Sequence, residues 1–289
     1  MTGAREMIFD ISLPDVRRAV DNALAEDIGT GDITTDACIP ADLVAEARFV
    51  AKQELTLAGV ELLQILFDNV NLLKRSGDRV HPGEELAIVR GPARLLLTRE
   101  RVSLNFLQRL SGVATLAAKF VAAVDGTGVR ILDTRKTTPG LRVLEKMAAA
   151  AGGVVNHRMG LYHAILIKNN HIRLAGGVRI AIERARAAVQ ASGKAIEIEV
   201  RTHAEIEDAL APGAARLLLD NMTPAQAATE IIFIKRYAGQ RAETEISGGI
   251  TLENVRAYAE ARPDFISTGA ITHSAPAVDI NCGIYPVAP

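Results

Sequence analysis

The sequence predicts an α/β fold: an N-terminal α/β sandwich-like domain followed by a seven-stranded parallel α/β barrel. Three observations predict it. The chain has 289 residues, which is long for a single domain but accommodates one barrel with an added domain. Its first third has an irregular pattern. The remainder alternates short apolar runs with helix-like stretches, which is typical of parallel strands joined by helical crossovers.

Composition excludes several classes of protein. Hydrophobic residues make up 48% and charged residues 23% of the chain, as in a globular protein that folds in water. The formal net charge is −1, aromatic residues amount to 4%, and tryptophan is absent. These values argue against a large basic surface for nucleic acid and against a platform of stacked bases.

The two cysteines and the first residues of the chain indicate the cellular compartment of the protein. Cys38 and Cys282 share no metal-type spacing and make a disulfide framework improbable, which favours a reducing environment. The first fifteen residues contain acidic groups and no continuous apolar core, unlike a signal peptide. No apolar run approaches the ~20 residues of a membrane-spanning helix. We therefore expect a cytoplasmic protein.

The N-terminal domain, residues 1–112, is expected to mix helices with a small β-rich part. A helix is predicted over Pro14–Glu26, with proline suited to the first turn, and another near Glu61–Asp68. Turn residues separate short apolar pieces over 76–86. From Leu95 to Val124, apolar residues recur at helical spacing and predict one long helix, or two joined near Ser111 and Gly112.

The barrel domain, residues 113–273, is predicted from repeated β and α units. Its seven strands are nearly continuous in apolar character, which favours a closed barrel over an open sheet. The predicted strands are Val129–Asp133, Gly153–His157, Ala164–Lys168, Ile196–Val200, Arg216–Asp220, Glu243–Ser247 and Phe265–Thr268. The predicted helices are Leu141–Ala151, Val178–Ala191, Ala204–Leu210, Pro224–Tyr237 and Leu252–Ala261. The last segment, residues 274–289, is expected to pack back on the N-terminal domain.

Charged residues and glycines follow the predicted strands, where barrels place their active sites. The first three strand ends carry a concentration of cations, which require an anionic partner. These cations are Arg135, Lys136, His157, Arg158 and Lys168. Arginine suits bidentate recognition of carboxylate or phosphate, and lysine supplies a point charge.

The later strand ends carry acids and glycine turns. Glu199 and Asp220 are oxygen ligands suited to Mg²⁺ bound with a polyphosphate. Glycine turns at 247–249 and 269–271 follow the last two strands, where barrels often bind phosphate. Each feature alone has an ordinary explanation: a solvated turn, glycine used for geometry, or an ion pair of Glu197 or Glu199 with Arg201. Together they indicate group transfer between an anionic acid and a phosphorylated, metal-bound cosubstrate.

Several motifs, in order along nearly the whole chain, resemble quinolinate phosphoribosyltransferases, also called carboxylating nicotinate-nucleotide pyrophosphorylases. The motifs are AEDIGTGDIT at 25–34, RVSLNFL at 101–107, LSG at 110–112, DTRKTTPGLR at 133–142, NHRMGL at 156–161, IKNNHI at 167–172, LDNM at 219–222, SGGI at 247–250 and GAITHS at 269–274.

The resemblance implies phosphoribosyl transfer from phosphoribosyl pyrophosphate to quinolinate with decarboxylation, Mg²⁺ as cofactor, and a homodimer. It implies catalytic roles for Lys136, Glu199 and Asp220. The residues implied to surround quinolinate are Thr134, Arg135, Lys136, His157, Arg158 and Lys168, with Arg101 contributed by the neighbouring subunit. Those implied to bind phosphoribosyl pyrophosphate are Lys168, Glu199, Asp220, Ser247, Gly248, Gly249, Gly269, Ala270 and Ile271. Asn169 and His163 depart from the family pattern, which often has acidic residues there.

Three alternatives remain at this stage. The first is a related phosphoribosyltransferase acting on another heteroaromatic acid. The second is a Schiff-base lyase using Lys168 or Lys136 as nucleophile, which would leave Glu199, Asp220 and the glycine turns without a role. The third is an anion-binding protein without catalytic activity.

Overall fold

The computed structural model describes residues 9–189, 195–238 and 242–287. The first eight residues and the last two residues of the helix predicted over Val178–Ala191 lie outside this part of the chain. Two compact units are present. The first contains residues up to Ala118, Thr137–Gly153 and the residues from Ile271 onwards, and the second contains Lys119–Lys136 and Val154–Ala270. Among the described residues, no helix has both the length and the apolar character required to cross a bilayer.

The first unit is built on an antiparallel sheet. Its helices are α1 (Pro14–Ile28), α2 (Ile33–Cys38), a 3₁₀ turn (Val60–Leu62), α3 (Leu63–Leu66), most of α4 (Ala93–Ala123), α5 (Arg142–Ala151) and most of α11 (Ala270–His273). Its strands are β1 (Val44–Ala51), β2 (Leu55–Thr56), β3 (Val70–Leu72), β4 (Arg79–Val80), β5 (Glu85–Pro92) and β12 (Ile280–Pro286). The main sheet has the order β12-β1-β5-β3, and β2 pairs with β4. Strand β12 therefore pairs with β1, which is the first strand of the described residues, from Ala45 opposite Pro286 to Ala51 opposite Ile280.

Helix α4 is continuous through Ser111 and Gly112, where the sequence left open a junction between two helices. A Cβ atom at Gly112 would lie 2.1 Å from the carbonyl oxygen of Pro276. The glycine is explained by this close approach of another backbone segment rather than by a break in the helix.

Helix α5 belongs to the first unit, although the sequence placed it within the barrel domain. A buried polar contact joins it to that unit. Glu145 on α5 is fully buried and accepts a 2.8 Å hydrogen bond from Nη2 of Arg109 on α4. The same carboxylate accepts a 2.7 Å bond from the hydroxyl of Thr138. An amphipathic pattern predicts the helix but does not say which element its buried face contacts.

The second unit is built on parallel strands. They are β6 (Arg130–Leu132), β7 (Ile165–Ile167), β8 (Ile196–Val200), β9 (Arg216–Asp220), β10 (Glu243–Ser247) and β11 (Phe265–Ser267). The helices are α6 (Asn169–Ala175), α7 (Val178–Val189), α8 (His203–Leu210), α9 (Pro224–Ala238) and α10 (Val255–Glu260). The strand order is β6-β11-β10-β9-β8-β7. The earliest strand pairs with the latest, as the barrel prediction requires, and the predicted fold class is confirmed.

The structure has six regular strands in this sheet rather than the seven predicted. The strand predicted over Gly153–His157 is reduced to a parallel bridge between Val155 and Leu132. Its backbone leaves the ladder because the His157 N–H donates to Oδ1 of Asp133 at 2.7 Å. The local backbone bond therefore goes to a side chain instead of a neighbouring strand.

Candidate active site

The second unit contains a cavity of about 530 Å³ at the carboxyl ends of its strands. Many of the predicted site residues line it, from almost every strand end of the sheet. They are Thr134, Arg135, Lys136, His157, Arg158, Lys168, Glu199, Asp220, Ser247, Gly248 and Gly249. The side chains singled out from the sequence therefore converge on one cavity instead of being scattered over the surface.

Four predicted residues do not line this cavity. Arg101 is exposed on α4, in the first unit. Gly269 and Ala270 follow β11, and the Ala270 N–H donates to the hydroxyl of Thr268 at 3.2 Å. Ile271 is fully buried. The Thr268 hydroxyl in turn donates to the Ile250 carbonyl at 3.1 Å, and from this strand the cavity is lined by Ser267 instead.

The cationic wall contains two neighbouring arginines. Nε of Arg135 is buried and has no hydrogen-bond partner among the described residues. Burial lowers the pKa of Arg158, and the charge of Arg135 lowers it further. One Arg158 nitrogen donates to the carbonyl of Ala164 at 3.1 Å. Two guanidinium groups that repel each other in a partly dry wall are stabilised by an anion placed between them.

The imidazole of His157 has protein partners at both nitrogens. Nδ1 accepts the N–H of Arg158 at 2.7 Å, so the ring proton lies on Nε2. That nitrogen lies 3.2 Å from Oε2 of Glu197. The ring therefore contacts the backbone of Arg158 through one nitrogen and Glu197 through the other.

A buried acid lies beneath the wall. Glu245 is fully buried, and its Oε2 is 3.7 Å from Nε2 of His157. Burial, and then the charge of Glu197, raises the pKa of Glu245 to about 8. His157, Glu197 and Glu245 bring their ligand atoms within 4.8 Å of one another. A metal ion there would require the lone pair of Nε2, which carries the proton, so we interpret the group as a hydrogen-bonded support.

Two carboxylates also line the cavity. The side chains of Glu199 and Asp220 are 12% and 13% exposed, and Arg201 contacts both. Burial raises the pKa of Glu199, and the nearby Asp220 raises it further. Asn169 donates a hydrogen bond to Oε1 of Glu199. Paired, partly dry carboxylates are the ligands that Mg²⁺ uses together with phosphate oxygens, so this pair fits the metal predicted from the sequence.

The turn after β10 requires glycine. Gly248 has φ +99°, and a Cβ atom there would lie 2.2 Å from Oδ1 of Asn221. Asn221 also adopts a left-handed conformation, with φ 57°, and its N–H donates to the Ser247 carbonyl at 2.9 Å. A turn that presents successive backbone N–H groups forms a concave site for anions, which suits a phosphate group.

Sequence reasoning did not assign a role to several other residues that line the cavity. They are Leu166, Arg201, Leu218, Asn221, Glu245 and Ser267. Arg201 and Asn221 directly follow strand ends, which is the signal that identified their neighbours. Glu245 lies two positions before Ser247, so strand alternation places both on one face.

The two departures from the family pattern have local partners. Asn169 contacts Glu199 through the hydrogen bond described above. Nδ1 of His163 accepts the N–H of Met159 at 3.1 Å, within the loop between Arg158 and Lys168. Asn169 therefore contacts a cavity acid, whereas His163 orders a loop.

Comparison with known families identifies the chain. The model for the quinolinate phosphoribosyl transferase N-terminal domain matches residues 32–111, and the model for the C-terminal domain matches residues 113–282. The chain belongs to the quinolinate phosphoribosyltransferase family. The resemblance inferred from the motifs is confirmed, and so is the prediction of a phosphoribosyltransferase enzyme.

Curated relatives and solved structures of this family cover almost the whole chain. A probable carboxylating nicotinate-nucleotide pyrophosphorylase of Bacillus subtilis is 41% identical over 277 residues, covering 93% of both chains. A chloroplastic enzyme of the same name from Arabidopsis thaliana is 39% identical, covering 93% of this chain and 83% of the relative. The NadC structure from Streptococcus pyogenes has a TM-score of 0.88 at 35% identity, covering 97% and 99% of the two chains.

Proposed function

We propose that the cavity of the second unit transfers the phosphoribosyl group of phosphoribosyl pyrophosphate to quinolinate and decarboxylates the product. The products are nicotinate mononucleotide, pyrophosphate and carbon dioxide, as required for de novo NAD biosynthesis. One observation carries the proposal: a single cavity contains a cationic wall, a carboxylate pair and a glycine turn. This is the complement of a dicarboxylic acid next to a metal-bound sugar phosphate.

The cationic wall is assigned to quinolinate. Arg135 and Arg158 supply planar donors for its two carboxylates, and Lys136 and Lys168 supply point charges. Thr134 is assigned to the same wall, and its hydroxyl accepts the Lys136 N–H at 3.0 Å. Because the wall brings several cations together, and Nε of Arg135 is buried without a hydrogen-bond partner among the described residues, we expect a diacid to bind much better than a monoacid.

The carboxylate pair is assigned to the ribose hydroxyls and to Mg²⁺, which would neutralise charge on the departing pyrophosphate. Glu199 and Asp220 are the residues that would hold the ion. The turn at Ser247, Gly248 and Gly249 is assigned to the 5′-phosphate. The sequence predicts that the turn at 269–271 shares this role. The Ala270 N–H of that turn already donates to the hydroxyl of Thr268. We therefore assign most of the binding of the 5′-phosphate to the turn at 247–249.

The reaction requires a displacement and then loss of a carboxyl group. The pyridine nitrogen bonds to the anomeric carbon as the bond to pyrophosphate breaks, and Asp220 stabilises the positive charge that develops on the sugar. The arginine wall holds the ring at the distance and angle for attack. The adjacent carboxylate then leaves as carbon dioxide, its bonding electrons remain on the ring carbon beside N⁺, and a proton from solvent completes the product.

We also propose a homodimer in which Arg101 of one subunit completes the quinolinate site of the other. Its exposed position on α4 leaves the side chain accessible to a second copy. We propose the cytoplasm as the compartment, since both Cys38 and Cys282 are free thiols and suit a reducing environment.

The function is tested by following quinolinate absorbance with Mg²⁺, in the presence and absence of phosphoribosyl pyrophosphate. We expect consumption of quinolinate only with the cosubstrate, and turnover of nicotinate at least about a hundredfold slower because one carboxylate is missing. Preferred turnover of another heteroaromatic acid would assign the chain to a different substrate. Covalent trapping of Lys168 or Lys136 by borohydride with a carbonyl substrate would instead support a lyase.

A further inference from the structure

Arg201 occupies the space between the two cavity carboxylates. Its Nε lies 2.9 Å from Oδ2 of Asp220, and its Nη2 lies 2.9 Å from the same oxygen and 3.3 Å from Oε1 of Glu199. Arg201 directly follows β8, Glu199 is on that strand, and Asp220 ends β9. The guanidinium thus bridges two adjacent strand ends in the position expected for a cation.

This bridge neutralises two acids that would otherwise repel each other. Both carboxylates are about nine-tenths buried, whereas the Arg201 side chain is 50% exposed. The base of the arginine is held in place, because its backbone N–H donates to Oε2 of Glu205 at 2.7 Å. A side chain with a fixed base and an exposed end can change partners without rearranging the strands.

The same oxygens are required by the metal ion. Mg²⁺ binds carboxylate oxygens at about 2.0–2.1 Å and requires near-octahedral geometry. Two guanidinium nitrogens of Arg201 lie 2.9 Å from Oδ2 of Asp220, so they use both lone-pair directions of this oxygen, and an ion that binds it has to displace at least one of them. Arg201 and Mg²⁺ are competitors for the carboxylate pair.

We propose that Arg201 is the resident counter-ion of Glu199 and Asp220, and that it transfers to the pyrophosphate group when Mg²⁺ takes its place. The inference rests on the proposed function of the carboxylate pair. Pyrophosphate is the natural new partner, because it arrives with the metal at the same cavity wall and its oxygens suit the planar donors of arginine. Glu199, Asp220 and Arg201 then each have a partner of opposite charge both before and after Mg²⁺ and pyrophosphate bind.

The first test measures metal binding without substrate. Mn²⁺ replaces Mg²⁺ so that electron paramagnetic resonance can count the bound ion. We expect Arg201→Gln to bind Mn²⁺ about tenfold more tightly than the wild type, because the competing cation is gone. Arg201→Lys should lie between the two. Arg179→Gln removes the same charge from an exposed ion pair with Asp208 and should leave Mn²⁺ affinity unchanged.

The second test measures the transfer itself. Calorimetric titration with pyrophosphate and Mg²⁺ should show Arg201→Gln binding about tenfold more weakly than wild type, although its metal affinity has risen. Opposite shifts in the two experiments distinguish exchange of partners from a general loss of structure. Unchanged or weaker Mn²⁺ binding in Arg201→Gln would overturn the proposal, as would unchanged pyrophosphate affinity.

Failure of this inference is distinguishable from failure of the proposed function. If Glu199→Gln and Asp220→Asn bind Mn²⁺ and pyrophosphate as the wild type does, the carboxylate pair is not the metal site and the functional assignment is wrong. If those variants lose the metal while Arg201→Gln behaves as the wild type does, only the role of Arg201 is wrong.

Discussion

At the scale of single residues, the site depends on polar side chains buried beneath the cavity. Asp133 is fully buried and accepts bonds from the side chain of Asn156 at 2.7 Å and from the backbone of His157. His157 in turn contacts Glu197 and holds the backbone of Arg158. These hydrogen bonds therefore connect the end of β6 to the backbone of Arg158 and hold this arginine of the cationic wall in place.

The raised pKa of Glu245 makes stability depend on pH. Between the ordinary value of 4.5 and about 8, the folded chain keeps a proton on Glu245 that the unfolded chain has lost. The contribution of Glu245 to the free energy of unfolding is therefore fully present below pH 4.5 and is lost as the pH rises through about 8. Glu245→Gln is neutral at every pH, so near pH 9 its free energy of unfolding should exceed that of the wild type by up to about 5 kcal/mol, at roughly 1.4 kcal/mol for each pKa unit between 4.5 and about 8, and the difference should vanish towards pH 5.

Urea unfolding from pH 5 to pH 9 measures this difference. Glu183→Gln, at an exposed position on α7, serves as the control and should follow the wild type throughout. Parallel curves for Glu245→Gln and the wild type would show that Glu245 is ionised in the folded protein, with Arg216 at 3.5 Å as its counter-ion.

At the scale of elements, the turn after β10 is restricted more strongly at its first glycine than at its second. Gly248→Ala would place a methyl group 2.2 Å from the Asn221 side chain, whereas a Cβ atom at Gly249 would have open space. Both positions have positive φ, so both alanines carry backbone strain of about 1 kcal/mol. Relative to Gly249→Ala, Gly248→Ala should lower the free energy of unfolding by a further ~1–3 kcal/mol, or weaken the binding of phosphoribosyl pyrophosphate about tenfold.

Thermal melting and calorimetry on the two variants measure the difference. Gly249→Ala is the control, because it makes the same chemical change at the adjacent residue, which also has a positive φ but no atom within 4 Å of the added Cβ. Equal losses in both variants would show that the contact with Asn221 does not restrict the turn.

The elements also show what sequence can and cannot predict. Strands β8, β9 and β10 begin and end at the predicted residues, because β-branched and other apolar residues, in alternation with polar residues or in a short run, lie between helix-like stretches and leave little freedom. The strand at Gly153–His157 is lost to the Asp133 side chain, a contact between distant positions. Likewise, cavity residues at strand ends could be predicted from position, but the partners of Arg201 and Glu245 depend on which neighbouring strands bring acids close.

At the scale of the whole molecule, the proposed dimer makes a prediction about mixed subunits. Arg101→Ala and Lys136→Ala should each be nearly inactive as homodimers. If Arg101 acts on the neighbouring subunit, a heterodimer contains one site with both defects and one site with neither. Mixing the variants should therefore recover up to about a quarter of wild-type activity, since half of the random dimers are mixed and half of their sites are intact.

Steady-state assays after subunit exchange measure the recovery. Exchange is verified separately with subunits carrying two different affinity tags. Exchanged mixtures without recovery would show that Arg101 and Lys136 act in the same subunit, or that Arg101 has no part in the site.

The division of the cavity into two halves is tested most directly by calorimetry on Arg135→Ala. Titration with quinolinate and, separately, with phosphoribosyl pyrophosphate and Mg²⁺ gives the two affinities. Because Arg135 belongs to the cationic wall, we predict a loss of about a hundredfold for quinolinate and less than about threefold for phosphoribosyl pyrophosphate. Equal losses for the two ligands would contradict the assignment.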